Sequence, residues 1–243
     1  METSLSELLD ASAHIGHSTS KWNPKFFPFI HMTKKGIHII DLIKTIQQIS
    51  VACMFLKKEV RNGKRVLFVG TKNQASKVVE REAKKCQEFY INQRWPGGLL
   101  TNWPTIKLSL KKLQLLEEKE KLDHLGSTSK KEEASMKREI QKLNKYLNGI
   151  KGMKKPPDII ILVDPSREKT TISECQKLNI PTIGILDTNC NPKSVNVPIP
   201  ANDDSIKAID LIVSKLSTSI FKAKLENNQF IENSTENLNE HVK

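Results

Sequence analysis

The chain of 243 residues carries 37% hydrophobic and 27% charged side chains, with 39 Lys and Arg over 27 Asp and Glu, a formal net charge of +12. That length suits one large or two modest domains and excludes a mini-protein, while the low apolar fraction requires a segment outside the core. The basic excess points to a polyanionic partner, nucleic acid ahead of lipid, and no apolar run approaches the ~20 residues that span a bilayer.

Ser4 with Glu7 three residues on spells a capping box before Leu5, Leu8 and Leu9, which predicts a short helix over 5–13. Pro24 and Pro28 then forbid an α-helix, so residues 20–30 are expected as an extended arm. Ile39, Leu42, Ile43, Ile46, Ile49 and Ala52 recur every three or four residues and predict a helix over 41–60 that Asn62-Gly63 ends. Val66 to Gly70 reads as a buried parallel strand, followed by a helix over 71–85.

The alternation returns later in the chain. Ile159 to Asp164 reads as a strand, Ser166 to Leu178 as a helix, Ile180 to Asp187 as a strand, and the apolar positions from Ile206 to Leu216 as a closing helix. Strand and helix alternating at this spacing imply right-handed crossovers and an α/β fold with a parallel sheet covered on both faces. Residues 103–149 lack any strand signal. Ile106, Leu110, Leu113 and Leu116 form one stripe and Met136, Ile140, Leu143 and Leu147 another, separated by the polar residues 123–129. Two antiparallel helices joined by a turn fit, and stripes this narrow seal a helix against one partner only. The expected organisation is 1–102 for the first part of the α/β domain, 103–149 for a protruding coiled-coil hairpin, 150–224 for the rest of the sheet, and 225–243 for a polar, flexible tail.

The charge is segregated. Residues 1–155 hold 30 basic and 15 acidic side chains, an excess of +15, whereas residues 156–243 hold 9 basic and 12 acidic. One side of the molecule is therefore expected to face phosphate. Cys53, Cys86, Cys175 and Cys190 are too widely spaced for a zinc cluster or a disulfide framework, which predicts a reducing compartment. Glu2 and Glu7 without a basic flank are the opposite of a signal or transit peptide.

Enzymatic readings find little support. The stretch from Phe68 to Gln74 lies where a phosphate loop would lie but lacks its glycines. Asp164 reads as a strand-end residue, and no nucleophile elbow is present. His14 and His17 could share a cation with Asp187, Asp203 or Asp204, although two histidines fall short of the three or four ligands of a zinc site. Asn202-Asp203-Asp204 reads first as a helix N-cap. No catalytic residue, resident metal or cofactor is expected.

Two segments combine cations, amides and rigid rings, and they hold all three tryptophans: Lys21-Trp22-Asn23-Pro24-Lys25-Phe26-Phe27 and Asn92 to Trp103. Cations neutralise phosphates while amides and ring faces read sugars and exposed bases, a combination suited to folded RNA. The expected RNA-binding residues are Lys21, Trp22, Asn23 and Lys25 in the arm, Lys72 after the first buried strand, Arg94, Trp95, Asn102 and Trp103 in the second segment, and Lys107 and Lys111 beyond it.

At these residues the sequence resembles a known family, the second small-subunit ribosomal protein of bacteria and organelles. The matching stretches include Ala13-His14-Ile15-Gly16-His17, Lys21-Trp22-Asn23-Pro24, Gly36 to Asp41, Phe68-Val69-Gly70-Thr71-Lys72, Arg94-Trp95-Pro96-Gly97-Gly98-Leu99-Leu100-Thr101-Asn102-Trp103, Asp187-Thr188-Asn189 and Ile199 to Asp204. They run in family order from about residue 5 to 222; Pro96 stands where family members often carry leucine. The resemblance implies a flavodoxin-like parallel sheet with a protruding coiled-coil hairpin, seated between head and body of the small ribosomal subunit. It implies a structural role, with small-subunit ribosomal RNA, neighbouring ribosomal proteins and the large messenger-binding protein as partners, no membrane and no homo-oligomer. The abundance of Lys, Asn and Ile and the stretch Asp187 to Pro192 look like a plastid-encoded member, with a bacterial cytoplasmic one as the alternative. Two rivals are a nucleotide-dependent enzyme on the same fold and a free-standing RNA-binding regulator.

Overall fold

The Ser4 hydroxyl accepts from the Glu7 backbone N–H while the Glu7 carboxylate accepts from that of Ser4, so helix α1 (Leu5–Asp10) opens on the capping box its sequence spells. The computed structural model describes residues 3–123 and 130–240. A small antiparallel sheet follows α1, in the order β1 (Ile15–Ser18), β3 (Ile37–Ile40), β2 (Ile30–Lys34). Lys35 (φ 50°) and Gly36 (φ 75°) make the tight β2–β3 turn, where glycine carries no left-handed penalty.

The expected extended arm is instead a 3-10 helix over Pro24–Phe29 in its second half. Asn23 caps it by accepting from the Lys25 N–H, Pro24 lacks only an N–H that a helix start leaves unpaired, and Phe26 is fully buried beneath it. Asp41 caps α2 (Leu42–Arg61), whose Ile49, Ala52, Leu56 and Val60 line its buried face.

The main sheet is parallel throughout: β5 (Phe89–Ile91), β4 (Val66–Val69), β6 (Ile159–Val163), β7 (Thr182–Leu186) and β8 (Val197–Pro200), in that spatial order. Numbered within the sheet this is 2-1-3-4-5, the flavodoxin-like order. Alternate side chains go to opposite faces. Val66, Phe68, Ile159, Ile161 and Ile183 pack under α2, α3 (Asn73–Lys85) and α7 (Ile206–Glu240), whereas Leu67, Val69, Ile160 and Leu162 face α6 (Lys169–Lys177) and the pair α4 (Trp103–Asp123) and α5 (Lys130–Leu147).

Strands β5 and β8 carry no clear sequence signal. β5 has three residues, and β8 holds Pro198 and Pro200, which an edge strand tolerates because one row of its backbone groups needs no ladder partner. Helices α4 and α5 pack on each other, joined by Lys112–Glu139 and Asn144–Glu117 contacts. Their stripes do more than seal one another: Ile106, Leu110, Leu113, Ile140 and Leu147 are buried in the same apolar cluster as the sheet residues Leu67 and Ile160. Of the polar turn expected between them at 123–129, Asp123 is the last residue of α4 and residues 124–129 lie outside the described residues. Helix α7 runs on to Glu240 through most of the segment expected as a flexible tail, and Arg61–Glu226 and Asn227–Arg61 contacts tie its middle to the end of α2.

Candidate nucleic-acid interface and the carboxylate cluster beside it

Parallel strands all deliver their following residue to one edge. At the carboxyl end of this sheet β4 is followed by Lys72, β6 by Asp164, β7 by Asp187 and β8 by Asp203 and Asp204. Strand β1 brings His17 to the same edge, and Gly16 makes the approach possible because a Cβ there would lie 2.5 Å from Thr188 Cγ2. The His17 N–H then donates to Thr188 Oγ1 at 2.9 Å, and its ring Nδ1 meets Asp187 Oδ2 at 3.0 Å.

The Lys72 ammonium lies 2.7 Å from Asp203 Oδ1, 2.6 Å from Asp204 Oδ1 and 4.0 Å from Asp164 Oδ2. It is 14% exposed, so its charge is committed to these carboxylates rather than presented to an outside phosphate. Burial, then the neighbouring Asp164 carboxylate, push Asp203 up to about 7 against the pull of Lys72. Hydrogen bonding to Asp187 raises His17 above its ordinary value despite burial. The cluster thus gathers His17, Asp187, Asp203 and Asp204 of the expected residues, with donor atoms within 4.8 Å of one another. His14 is not in that group; its backbone C=O accepts from the Ile40 N–H, and its Nδ1 is buried without a hydrogen-bond partner.

The N-cap reading of 202–204 shifts by a few residues. Asn202 accepts from the Asp204 and Ser205 N–H groups in an Asx turn, Ser205 accepts from Ala208 N–H and caps α7, and Asp203 turns inward to Lys72. The β4–α3 loop is not a phosphate cradle either. A Cβ on Gly70 would lie 2.7 Å from Val79 Cγ2, so this glycine serves close packing of strand on helix. Asp164, in the left-handed region at φ 57°, accepts from the Ser166 N–H and hydroxyl and from the Cys190 thiol.

The second tryptophan-rich segment is organised by a residue sequence reasoning missed. Glu174, on the inner face of α6, accepts from Trp95 Nε1 at 3.0 Å and from the backbone N–H groups of Gly98, Leu100 and Thr101 at 2.8, 3.0 and 3.2 Å. Trp95 is therefore buried and shapes the loop instead of presenting a ring to a base. The available signal was an acid between Ile172 and Cys175, on the buried face of its helix. Trp103 is half-buried in the apolar cluster at the start of α4, and Trp22 packs 4.8 Å from the His38 ring.

The cations divide differently. Lys21, Lys25, Arg94, Lys107 and Lys111 are exposed, as is Asn102, whose carbonyl accepts from the Thr105 hydroxyl; Asn23 is half-buried as the 3-10 cap. Arg94 and Trp95 line a cleft of about 920 Å³ between the sheet edge and the helix pair, together with Lys142, Tyr146, Arg167 and the buried Glu168. This is the crevice beside the β4/β6 switch point, where open parallel sheets place ligands. Arg94, Lys142 and Arg167 line it, and Glu168, raised by burial, hydrogen-bonds Thr71 and Thr171.

Comparison with known proteins gives one answer. Residues 8–223 match the family profile described as Ribosomal protein S2. The chain is 51% identical over 220 residues to the small ribosomal subunit protein uS2c of Porphyra purpurea, covering 90% of this chain and 91% of that protein. It is 50% identical over 231 residues to uS2c of Guillardia theta, covering 94% and 98%. Against uS2 of Picosynechococcus sp. it is 51% identical over 221 residues, covering 91% and 86%. A sheet in flavodoxin-like order, a basic loop ordered by a buried acid, and half-identity along nearly the whole length converge: the chain belongs to the ribosomal protein S2 family.

Proposed function

We propose that this chain is a structural, non-catalytic constituent of the small ribosomal subunit that binds small-subunit ribosomal RNA and neighbouring ribosomal proteins. Family membership gives the assembly, and the segregated charge gives the mode: an excess of +15 over residues 1–155, with Lys21, Lys25, Arg94, Lys107 and Lys111 exposed. These five, with Trp22, Asn23, Asn102 and Trp103, form the RNA-facing set; Lys72 and Trp95 act inside the protein by holding the loops that carry it. In this reading the chain sits between head and body of the subunit, helps dock the large messenger-binding protein, and forms no homo-oligomer. No helix among the described residues is long and apolar enough to cross a membrane. The names uS2c among its relatives favour a plastid ribosome, a bacterial cytoplasmic one being the alternative. Residues 103–149 are read as a hairpin rooted in the sheet's second core and projecting beyond it, between sheet segments 1–102 and 150–224.

The test is RNA binding by the full chain across a salt series. Each phosphate contact adds about 0.9 to the slope of log affinity against log salt on a duplex. Replacing Arg94, Lys107 and Lys111 together by Gln should flatten that slope by about 2–3. An unchanged slope would remove them from the interface, and sedimentation of the native protein away from small subunits would overturn the assignment itself.

A further inference from the structure

Arg61, Arg65 and Arg81 each meet a carboxylate, whereas Arg94, Arg167 and Lys142 meet none among the described residues. These three line the cleft of about 920 Å³ between the sheet edge and the helix pair. The acid in that lining, Glu168, is 4% exposed, and its two oxygens accept from the Thr71 and Thr171 hydroxyls, so both are engaged inside the protein. The cleft therefore carries a net positive charge that the protein does not balance. Asn73 and Thr170 bring the first turns of α3 and α6 to the same lining, and neither helix start is capped by a side chain.

The helix pair adds apolar surface and a ring. Ile106 comes from α4 and Leu143 and Tyr146 from α5, and Tyr146 is 36% exposed, so its ring is open to a ligand in the cleft. Unbalanced cations beside a ring and an apolar wall suit a nucleotide, whose phosphate meets the cations and whose base meets the ring. An acidic side chain of a protein would satisfy the cations and leave the ring unused. The volume lies within the range of about 300–1,000 Å³ of ligand sites. Such a cleft admits a single nucleotide but not a duplex, so the entrant must be swung out of its helix or stand unpaired in a loop. Building on the RNA-binding reading above, we propose that the cleft takes one unstacked nucleotide of the small-subunit ribosomal RNA. Arg94, Lys142 and Arg167 hold its phosphate, and its base stacks on Tyr146. A free mononucleotide would offer the same chemistry, and the assay separates the two sources.

Binding of the full-length chain to small-subunit ribosomal RNA is measured over a salt series, and each of the four nucleoside monophosphates is titrated separately by calorimetry. Tyr146→Ala should weaken RNA binding at least about fivefold with no change in salt slope, and Tyr146→Phe, which keeps the ring, should restore it to within about twofold. Lys142→Gln combined with Arg167→Gln should also weaken it at least about fivefold, yet flatten the slope by no more than about 0.7–0.9, the value for one phosphate, because both cations serve the same one. All three side chains are exposed, and melts of the RNA-free variants verify folding. Lys207→Gln, an exposed lysine of α7 outside the cleft, should bind as wild type. Wild-type affinity in Tyr146→Ala, or an equal loss in Tyr146→Phe, would overturn the stacked base; a slope change about twice as large would place the two cations on separate backbone phosphates and overturn the shared one. If these variants bind normally while replacing Arg94, Lys107 and Lys111 still flattens the slope, the cleft fails and the RNA-binding reading stands. Absence of RNA binding by the wild-type chain would overturn that reading and this proposal with it. A monophosphate bound as tightly as the RNA would overturn the RNA as source and assign the cleft to free nucleotide.

Discussion

Replacing Glu174 by Ala should destabilise the protein severely, although the residue lies on a short helix far from any cleft-lining lysine in sequence. Its carboxylate is the common acceptor for the Trp95 indole, three backbone N–H groups and the Thr101 hydroxyl, and it is 6% exposed. After truncation Gly98 and Thr101 can turn to water, but Trp95 Nε1 and Leu100 N are buried and would be left without acceptors. At about 1–3 kcal/mol per orphaned buried donor the loss is about 2–6 kcal/mol, a large share of the 5–15 kcal/mol typical of a domain. Glu174→Gln keeps one acceptor oxygen and should fall between. Urea unfolding followed by both tryptophan fluorescence and far-ultraviolet dichroism measures this. Burial alone would raise the Glu174 carboxyl, but the indole and backbone N–H groups outweigh it and hold it below its ordinary value. A depressed folded pKa makes this stabilisation complete above the unfolded value of about 4.3 and removes it as pH falls through the folded value. The difference between wild type and Glu174→Gln should therefore shrink below about pH 4. A loss under about 0.5 kcal/mol in Glu174→Ala would refute the reasoning.

Three further substitutions probe the packing. A Cβ on Gly149 would collide with the Tyr90 carbonyl oxygen and lie 2.7 Å from its ring, so Gly149→Ala should cost about 1–3 kcal/mol in an equilibrium melt. Leu113→Ala, fully buried where α4 enters the second core, should cost about 2–5 kcal/mol, whereas Leu108→Ala on the same helix, 69% exposed, should stay within about 0.5 kcal/mol. Equal effects at 108 and 113 would contradict the rooting of this helix in the sheet.

Buried runs of β-branched residues announce themselves, so β4, β6 and β7 were legible from Val66, Ile159 and Thr182 onward, and capping chemistry fixed the start of α1. Elements whose existence depends on partners were not. β5 owes its three residues to pairing with β4, and β8 is a strand despite two prolines because it lies at an edge. Proline's veto on α-helix was read correctly at Pro24 and Pro28, but a 3-10 turn escapes it. The site shows the same division. Arg94, Lys107 and Lys111 remain where an outward cation should be, whereas Lys72 and Trp95 were claimed by acids at positions 203, 204 and 174, remote in sequence. Residue type indicated polar chemistry there; only the fold decides whether a charge looks inward or outward.

The chain's ends are sewn together, and this sets an order on its birth. Asn202 N–H donates to the Ala13 C=O, Asn202 Nδ2 to Ser12 and the Ser205 hydroxyl to Ala11, while α2 packs along α7. The central β4–β6 pair likewise joins Val66 to Ile159 across the whole helical insertion. Contacts so distant along the chain close slowly and only after late residues exist. During synthesis, then, the amino-terminal third leaves the exit tunnel with its apolar helix faces and a single strand of the main sheet uncovered, and the domain cannot complete until translation has passed residue 205. Basic segments waiting in that state are open to stray polyanions, so chaperoning of the nascent chain, or early capture by its own RNA, is a demand written into the topology.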